Sequence, residues 1–176
     1  MECIICSPMR RALQTAHYSF AHILDNDNGD GTSTIPFVAC ENWRETLNYI
    51  CDARYPLTHL KEHFPHVDFT NIQHEHDPIR QYYDEIYGSF EEHTAHRESD
   101  DDDALERRAR QAWGTIEKRP ERNMALVGHS AFFWHVFGRD PEELGVVEYG
   151  DRDVEALMME RGFENCELRS VAVEFL

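Results

Sequence analysis

The sequence predicts an α/β fold, a three-layer α/β/α sandwich around a mostly parallel sheet. Three observations lead there. Short apolar runs at 2–6, 35–40, 123–127 and 168–175 read as strands, and segments with helical spacing separate them. Such alternation favours a parallel sheet with helices packed on its faces. The 176 residues are expected to form a single domain spanning 1–176, with insertions near 41–100 and 138–165. A chain of ~150 residues buries about 70% of its unfolded surface, so a sizeable core is available.

The first strand is Glu-Cys-Ile-Ile-Cys at 2–6, and Ser7-Pro8 follows it. Ser7 is expected to cap a helix with Pro8 at its first position. Ala12, Leu13, Ala16, Phe20, Ile23 and Leu24 recur at helical spacing, which carries that helix to about residue 24. Asp25 to Thr34 reads as a solvated polar loop; it lacks the glutamate and following helix of a calcium loop. Ile35 to Cys40 is the second strand. The segment 41–54 has no clean period and suits a functional loop. A short helix is expected from Pro56 to Phe64, a histidine-rich loop at 65–77, and a helix from Pro78 to about Glu92. The aspartates 100–103 read as the acidic N-terminus of a helix running to about Lys118. Asn123 to Val127 gives the third strand, Ala131 to Phe137 an apolar helix, and 168–175 a final strand.

Charge and cysteine usage narrow the function. Seventeen basic against 34 acidic residues leave a formal charge of −17, which argues against nucleic acid or an anionic membrane as partner. A local basic pocket can still take a small phosphorylated metabolite. The basic residues are almost all arginine, with Lys61 and Lys118 the two lysines. Five cysteines, an odd number in a chain of this size, fit reduced thiols and a cytoplasmic setting. Cys3-x-x-Cys6 has redox or zinc spacing but lies within an apolar run, so a buried strand is the expectation. No run of 18 apolar residues and no signal-peptide pattern is present. His59 and His63 stand at i, i+4, yet residue 60 is leucine and no partner set follows; neither a metal nor a cofactor is expected.

Two strand ends carry the chemistry. Ligands of parallel α/β sheets bind beyond the carboxyl ends of the strands. Ser7 to Arg11 occupies one such end and Gly128-His129-Ser130 another. A helix start favours anions, and an arginine pair beside it makes a phosphate-binding corner. A histidine directly after a buried strand is placed to meet a ligand there.

The segments Ser-Pro-Met-Arg-Arg-Ala-Leu-Gln-Thr-Ala (7–16) and Ala-Leu-Val-Gly-His-Ser (125–130) resemble the second arginine motif and the second histidine segment of the histidine phosphatase, or phosphoglycerate mutase-like, superfamily. Glu45 in Asn42-Trp43-Arg44-Glu45 resembles the acidic residue of its phosphatase branch. Cys51-Asp52, Leu60, Phe64 to Phe69 and Asn165-Cys166-Glu167 resemble eukaryotic and fungal-type members. The resemblance implies that Arg11 grips the phosphoryl oxygens, with Arg10 as a second phosphate-binding candidate. It implies that His129 bonds the phosphate and stabilises transition-state charge, and that Glu45 donates a proton to the leaving group. Glu41 is the alternative acid. These roles suit phosphoryl transfer, which needs positive groups on the equatorial oxygens and an acid at the leaving alkoxide.

The family's nucleophile is a histidine in an Arg-His-Gly motif on its first strand, and this sequence contains no Arg-His-Gly. The resemblance therefore implies a phosphoglycerate mutase-like sheet with the first strand missing and no phosphohistidine in the chain as it stands. Three explanations remain open: a fragment of an active enzyme, a natural catalytically dead relative, or a strand supplied by another chain. The expected function is phosphomonoester hydrolysis in an intact form, with a mutase less favoured. The alternative is a non-catalytic, pseudophosphatase-like protein that binds phospho-ligands or other partners.

Overall fold

The computed structural model describes residues 1–24, 35–89, 92, 95–137, 147–160 and 162–176. Its centre is strand β1 (Cys3–Cys6), flanked by β2 (Phe37–Ala39) and β3 (Met124–Val127) in a parallel sheet of order β2-β1-β3. Ile4 pairs with Phe37 on one side and Ala125 on the other; Cys6 pairs with Ala39 and Val127. All four β1 residues are buried, as expected of a strand covered on both faces.

Alternation of side chains along β1 and β2 divides the core in two. Cys3, Ile5 and Val38 face α4 (Asp102–Glu117), α5 (Ser130–Phe137) and Met158 of α6 (Arg152–Glu160). Ile4, Cys6, Phe37 and Ala39 face α1 (Arg10–Leu24) and α2 (Leu57–His63). Two helical layers thus sandwich the sheet, the α/β architecture that the sequence predicts. The same alternation settles Cys3 and Cys6. Three residues apart on a strand, their thiols enter opposite cores, and burial pushes both thiol pKa values up.

Helix α4 buries Leu105, Arg108, Ala109, Ala112, Trp113 and Ile116, a stripe at helical spacing. Asp101 caps it by accepting the Ala104 N–H at 2.9 Å, with Asp102 and Asp103 in the first turn. Helix α3 (Pro78–Tyr87) starts the same way, capped by Asp77 with Pro78 at its first position.

Several boundaries differ from the sequence expectation. Helix α1 begins at Arg10 instead of Pro8, because the Ser7 hydroxyl reaches only the Met9 N–H and is also engaged elsewhere. The second strand is trimmed to Phe37–Ala39. Segment 41–54 contains two 3-10 turns, Glu41–Trp43 and Ile50–Asp52. At the C-terminal end only Val173–Phe175 (β5) is strand, and it does not extend the parallel sheet. It pairs antiparallel with β4 (Val147–Tyr149), an element unforeseen within 138–165, as is α6. The polar loop Asp25 to Thr34 lies outside the described residues. Among the described residues no helix is long and apolar enough to cross a membrane.

Candidate functional site

Parallel pairing of β1 and β3 delivers two chain segments to one edge of the sheet. Cys6 is level with Val127, and the Ser7 N–H donates to the Val127 carbonyl at 2.9 Å. One step further, Ser7 Oγ and His129 Nε2 are 2.8 Å apart, both residues buried. Gly128 permits this turn. A Cβ on it would stand 2.5 Å from the Phe133 ring, which packs back from the first turn of α5. The Phe133 N–H donates to the His129 carbonyl at 2.8 Å and so ties the histidine to the helix start.

Glu45 arrives from the loop after β2. The preceding Trp43 is fully buried and meets the rings of Trp113, Phe132, Phe133 and Phe137, which anchors the loop over the sheet. Glu45 Oε1 accepts the backbone N–H groups of Phe132 and Thr46, each at 3.0 Å. Burial raises the carboxyl pKa; those two N–H groups oppose the shift without cancelling it. Glu41, the alternative acid, is committed differently: its carboxylate pairs with Arg54 at 3.0 Å. Glu45 is the acid that the fold ties to the first turn of α5, beside His129.

The two neighbouring arginines part company. Arg11 Nη1 donates to the Cys51 carbonyl at 2.6 Å, and its Nη2 to Asp52 Oδ1 at 3.0 Å. Asp52 is itself held by the Tyr49 N–H at 3.0 Å. The Arg11 side chain keeps 44% of its surface exposed. Arg10 lies about 100° around the helix; its guanidinium carbon is 5.9 Å from the Tyr55 ring centroid.

Two further arginines belong to this neighbourhood. Arg44 is fully buried and paired with Asp77, and its Nη2 donates to the Asp52 carbonyl at 2.8 Å. Arg108 Nη1 donates to the Arg44 carbonyl at 2.8 Å, its Nη2 lies 3.0 Å from Glu98 Oε1, and its guanidinium stacks 3.9 Å above the Phe132 ring. Burial lowers the Arg108 pKa to about 10 despite Glu98, and its Nε has no hydrogen-bond partner. Sequence reasoning missed both residues. For Arg108 a signal existed: it falls on the apolar stripe of α4, where an arginine needs a reason.

These charges govern His129. Burial first, then the positive charges of Arg11, Arg44 and Arg108, lower its pKa to about 3. The imidazole is therefore neutral at physiological pH, set among cationic groups with a carboxyl of raised pKa close by. Such an array can stabilise an added oxyanion through N–H donors and supply a proton from Glu45. Among the described residues no group of three histidine, cysteine, aspartate or glutamate side chains could hold a metal ion.

Two curated relatives match the chain, both from Arabidopsis thaliana. One, named phosphoglycerate mutase-like protein, is 28% identical over 200 residues, covering 98% of this chain and 63% of the relative. The other, phosphoglycerate mutase-like protein 1, is 26% identical over 192 residues, covering 98% and 61%. The chain thus spans about three fifths of the length of these curated relatives. No family model and no solved structure matches it.

Proposed function

We propose, from the similarity of the chain to two phosphoglycerate mutase-like proteins and the resemblance of its motif segments to the histidine phosphatase superfamily, that the corner formed by Ser7, Arg11, Glu45 and His129 receives the phosphoryl group of a small phosphomonoester. The observation that carries this reading is the meeting of Ser7 and His129 at 2.8 Å, which joins the two motif segments at one strand edge. Arg11 binds phosphoryl oxygens through its planar fork, with Asp52 holding the side chain in reach. Neutral His129 donates a hydrogen bond and gains basicity when a dianion offsets the arginine field. Glu45, protonated more readily than a solvated glutamate, serves the leaving oxygen.

These residues supply binding and proton donation. Hydrolysis through a phosphohistidine needs a nucleophilic histidine as well, and the sequence holds no Arg-His-Gly. The chain as it stands is therefore read as a phosphomonoester binder, and the same corner as half of a phosphatase site wherever such a motif accompanies it.

Titration calorimetry with an aryl phosphate tests the reading. Binding is expected at millimolar ligand or below, weakened at least tenfold in Arg11→Gln and in His129→Asn, without turnover. Absence of binding by the folded native chain overturns it. Hydrolysis that disappears in His129→Ala overturns the claim of inactivity.

A further inference from the structure

We propose that the groove between α1 and the C-terminal end of α2 is a second anion site, one that takes a small phosphate-type polyanion. The inference is independent of the Ser7–Arg11–His129 reading, since it uses a different face of α1.

The groove encloses about 350 Å³, within the range of small-ligand sites. From α1 it is lined by Arg10, Gln14 and His17, which the i, i+4, i+7 spacing sets on one helical face. From the end of α2 and the loop beyond come His63, Phe64 and His66. In a chain with 34 acidic and 17 basic residues, no carboxylate among the described residues lines this groove.

Arg10 is the cation of the site. Among the described residues it forms no salt bridge, and its guanidinium faces the Tyr55 ring. Arg11, Arg44, Arg54, Arg108, Arg110, Arg119 and Arg169 all have carboxylate partners. Arg10 is thus a guanidinium without a counter-charge among the described residues, and the fold places it at a concave surface.

The histidines add directional donors. His17 Nδ1 and His66 Nε2 are 3.2 Å apart, a contact in which one ring donates to the other. His63 Nδ1 lies 2.8 Å from the His59 carbonyl, so it carries the proton and donates. Phe64 is buried behind these groups, and the Phe37 ring stands 5.7 Å from that of His66, so the rings rest on an apolar wall. Guanidinium, amide and imidazole donors converging without a carboxylate match phosphate oxygens. A cation would meet Arg10.

The test is histidine-ring NMR of the 176-residue chain at about pH 6.5, with inorganic pyrophosphate as probe. Saturable shifts are expected for His17, His63 and His66. Arg10→Gln and His66→Ala, changes at a half-buried and an exposed side chain, should each weaken binding at least fivefold; Arg11→Gln should change it less than twofold. Ring signals that stay fixed in roughly 10 mM pyrophosphate overturn the proposal. So does binding that survives Arg10→Gln, or that is lost only in Arg11→Gln. Loss of aryl phosphate binding in Arg11→Gln with the pyrophosphate response intact would separate the two sites.

Discussion

Ser7 Oγ and His129 Nε2 lie 2.8 Å apart across 122 residues of sequence. The contact follows from the register of β1 and β3, not from either segment alone. Each residue stands just beyond a strand end, and parallel pairing puts both ends at one edge of the sheet. That edge also collects the fields of three arginines, so the electrostatic state of His129 reports whether the corner is assembled.

The first prediction concerns pH. An unfolded histidine takes a proton near 6.5, whereas His129 in the fold does so at about 3. Between those values the unfolded chain binds more protons, so the fold loses stability as pH falls through that window. The loss approaches about 1.4 kcal/mol per pH unit. His129→Gln removes it. The stability advantage of the native chain over the variant should shrink by about 2 kcal/mol between pH 7.5 and pH 5 in urea titrations. A constant difference would contradict the assigned environment.

A second prediction tests the buried ion pair beneath the site. Asp77 faces fully buried Arg44, accepts the Arg54 N–H at 2.7 Å, and caps α3 through the N–H groups of Ile79 and Arg80. Burial alone would raise its pKa, but Arg44 and the hydrogen bonds outweigh that and hold it below the ordinary value. Asp77→Ala takes from buried Arg44 its nearest carboxylate and leaves Glu41, 3.8 Å from Nη1, as a weaker counter-charge. A loss of about 3–5 kcal/mol is expected in chemical denaturation. Asp77→Asn, which can still cap the helix, should lose less.

Much of this was legible in the sequence, and the reasons differ by element. Strand β1 and the apolar face of α1 are local signals: an apolar run, then residues at helical spacing. The meeting of the Ser-Pro-x-Arg-Arg and Gly-His-Ser segments followed from the rule that ligands gather at parallel strand ends. Arg44 was hidden, and Arg108 was marked only by its place on the apolar stripe of α4, because the partners of both come from other segments. Asp77, Asp52 and Glu98 reach them only after folding, and no local pattern encodes that. Segment 147–175 was misread for a similar reason. Three-residue strands such as β4 carry too little pattern, and an antiparallel pair at the end of the chain leaves no mark on the preceding α/β rhythm. The separation of Arg10 from Arg11 was readable in principle from the 100° step of the helix.

A third prediction concerns Gly128. Its Cβ position falls 2.5 and 2.6 Å from two atoms of the Phe133 ring. That ring is packed against Trp43, Phe137 and Phe163, so it cannot swing aside freely. Gly128→Ala should cost about 1–3 kcal/mol and move the His129 ring signals in NMR spectra. An alanine variant of native stability with unchanged His129 signals would show that the turn has room to spare.

The last prediction separates fold from chemistry at Glu45. Glutamine preserves the oxygen that accepts the Phe132 and Thr46 N–H groups but removes the ionisable proton. Because burial raises the Glu45 pKa, the ionised form is the disfavoured one in the fold. The stability this group contributes is full below about 4.3, the unfolded value, and is lost as pH rises through the folded value. Glu45→Gln should therefore match the native chain near pH 4 and become the more stable of the two by pH 8. Glu45→Ala, which strands two backbone donors, should be less stable than Glu45→Gln throughout. Aryl phosphate binding at neutral pH should survive Glu45→Gln. In a longer chain that carries an Arg-His-Gly motif, turnover should fall by about 10²–10⁴, the usual worth of a proton donor. The fall should be smallest for substrates whose leaving groups need no protonation. Unchanged turnover for alkyl phosphates would assign the proton to another group.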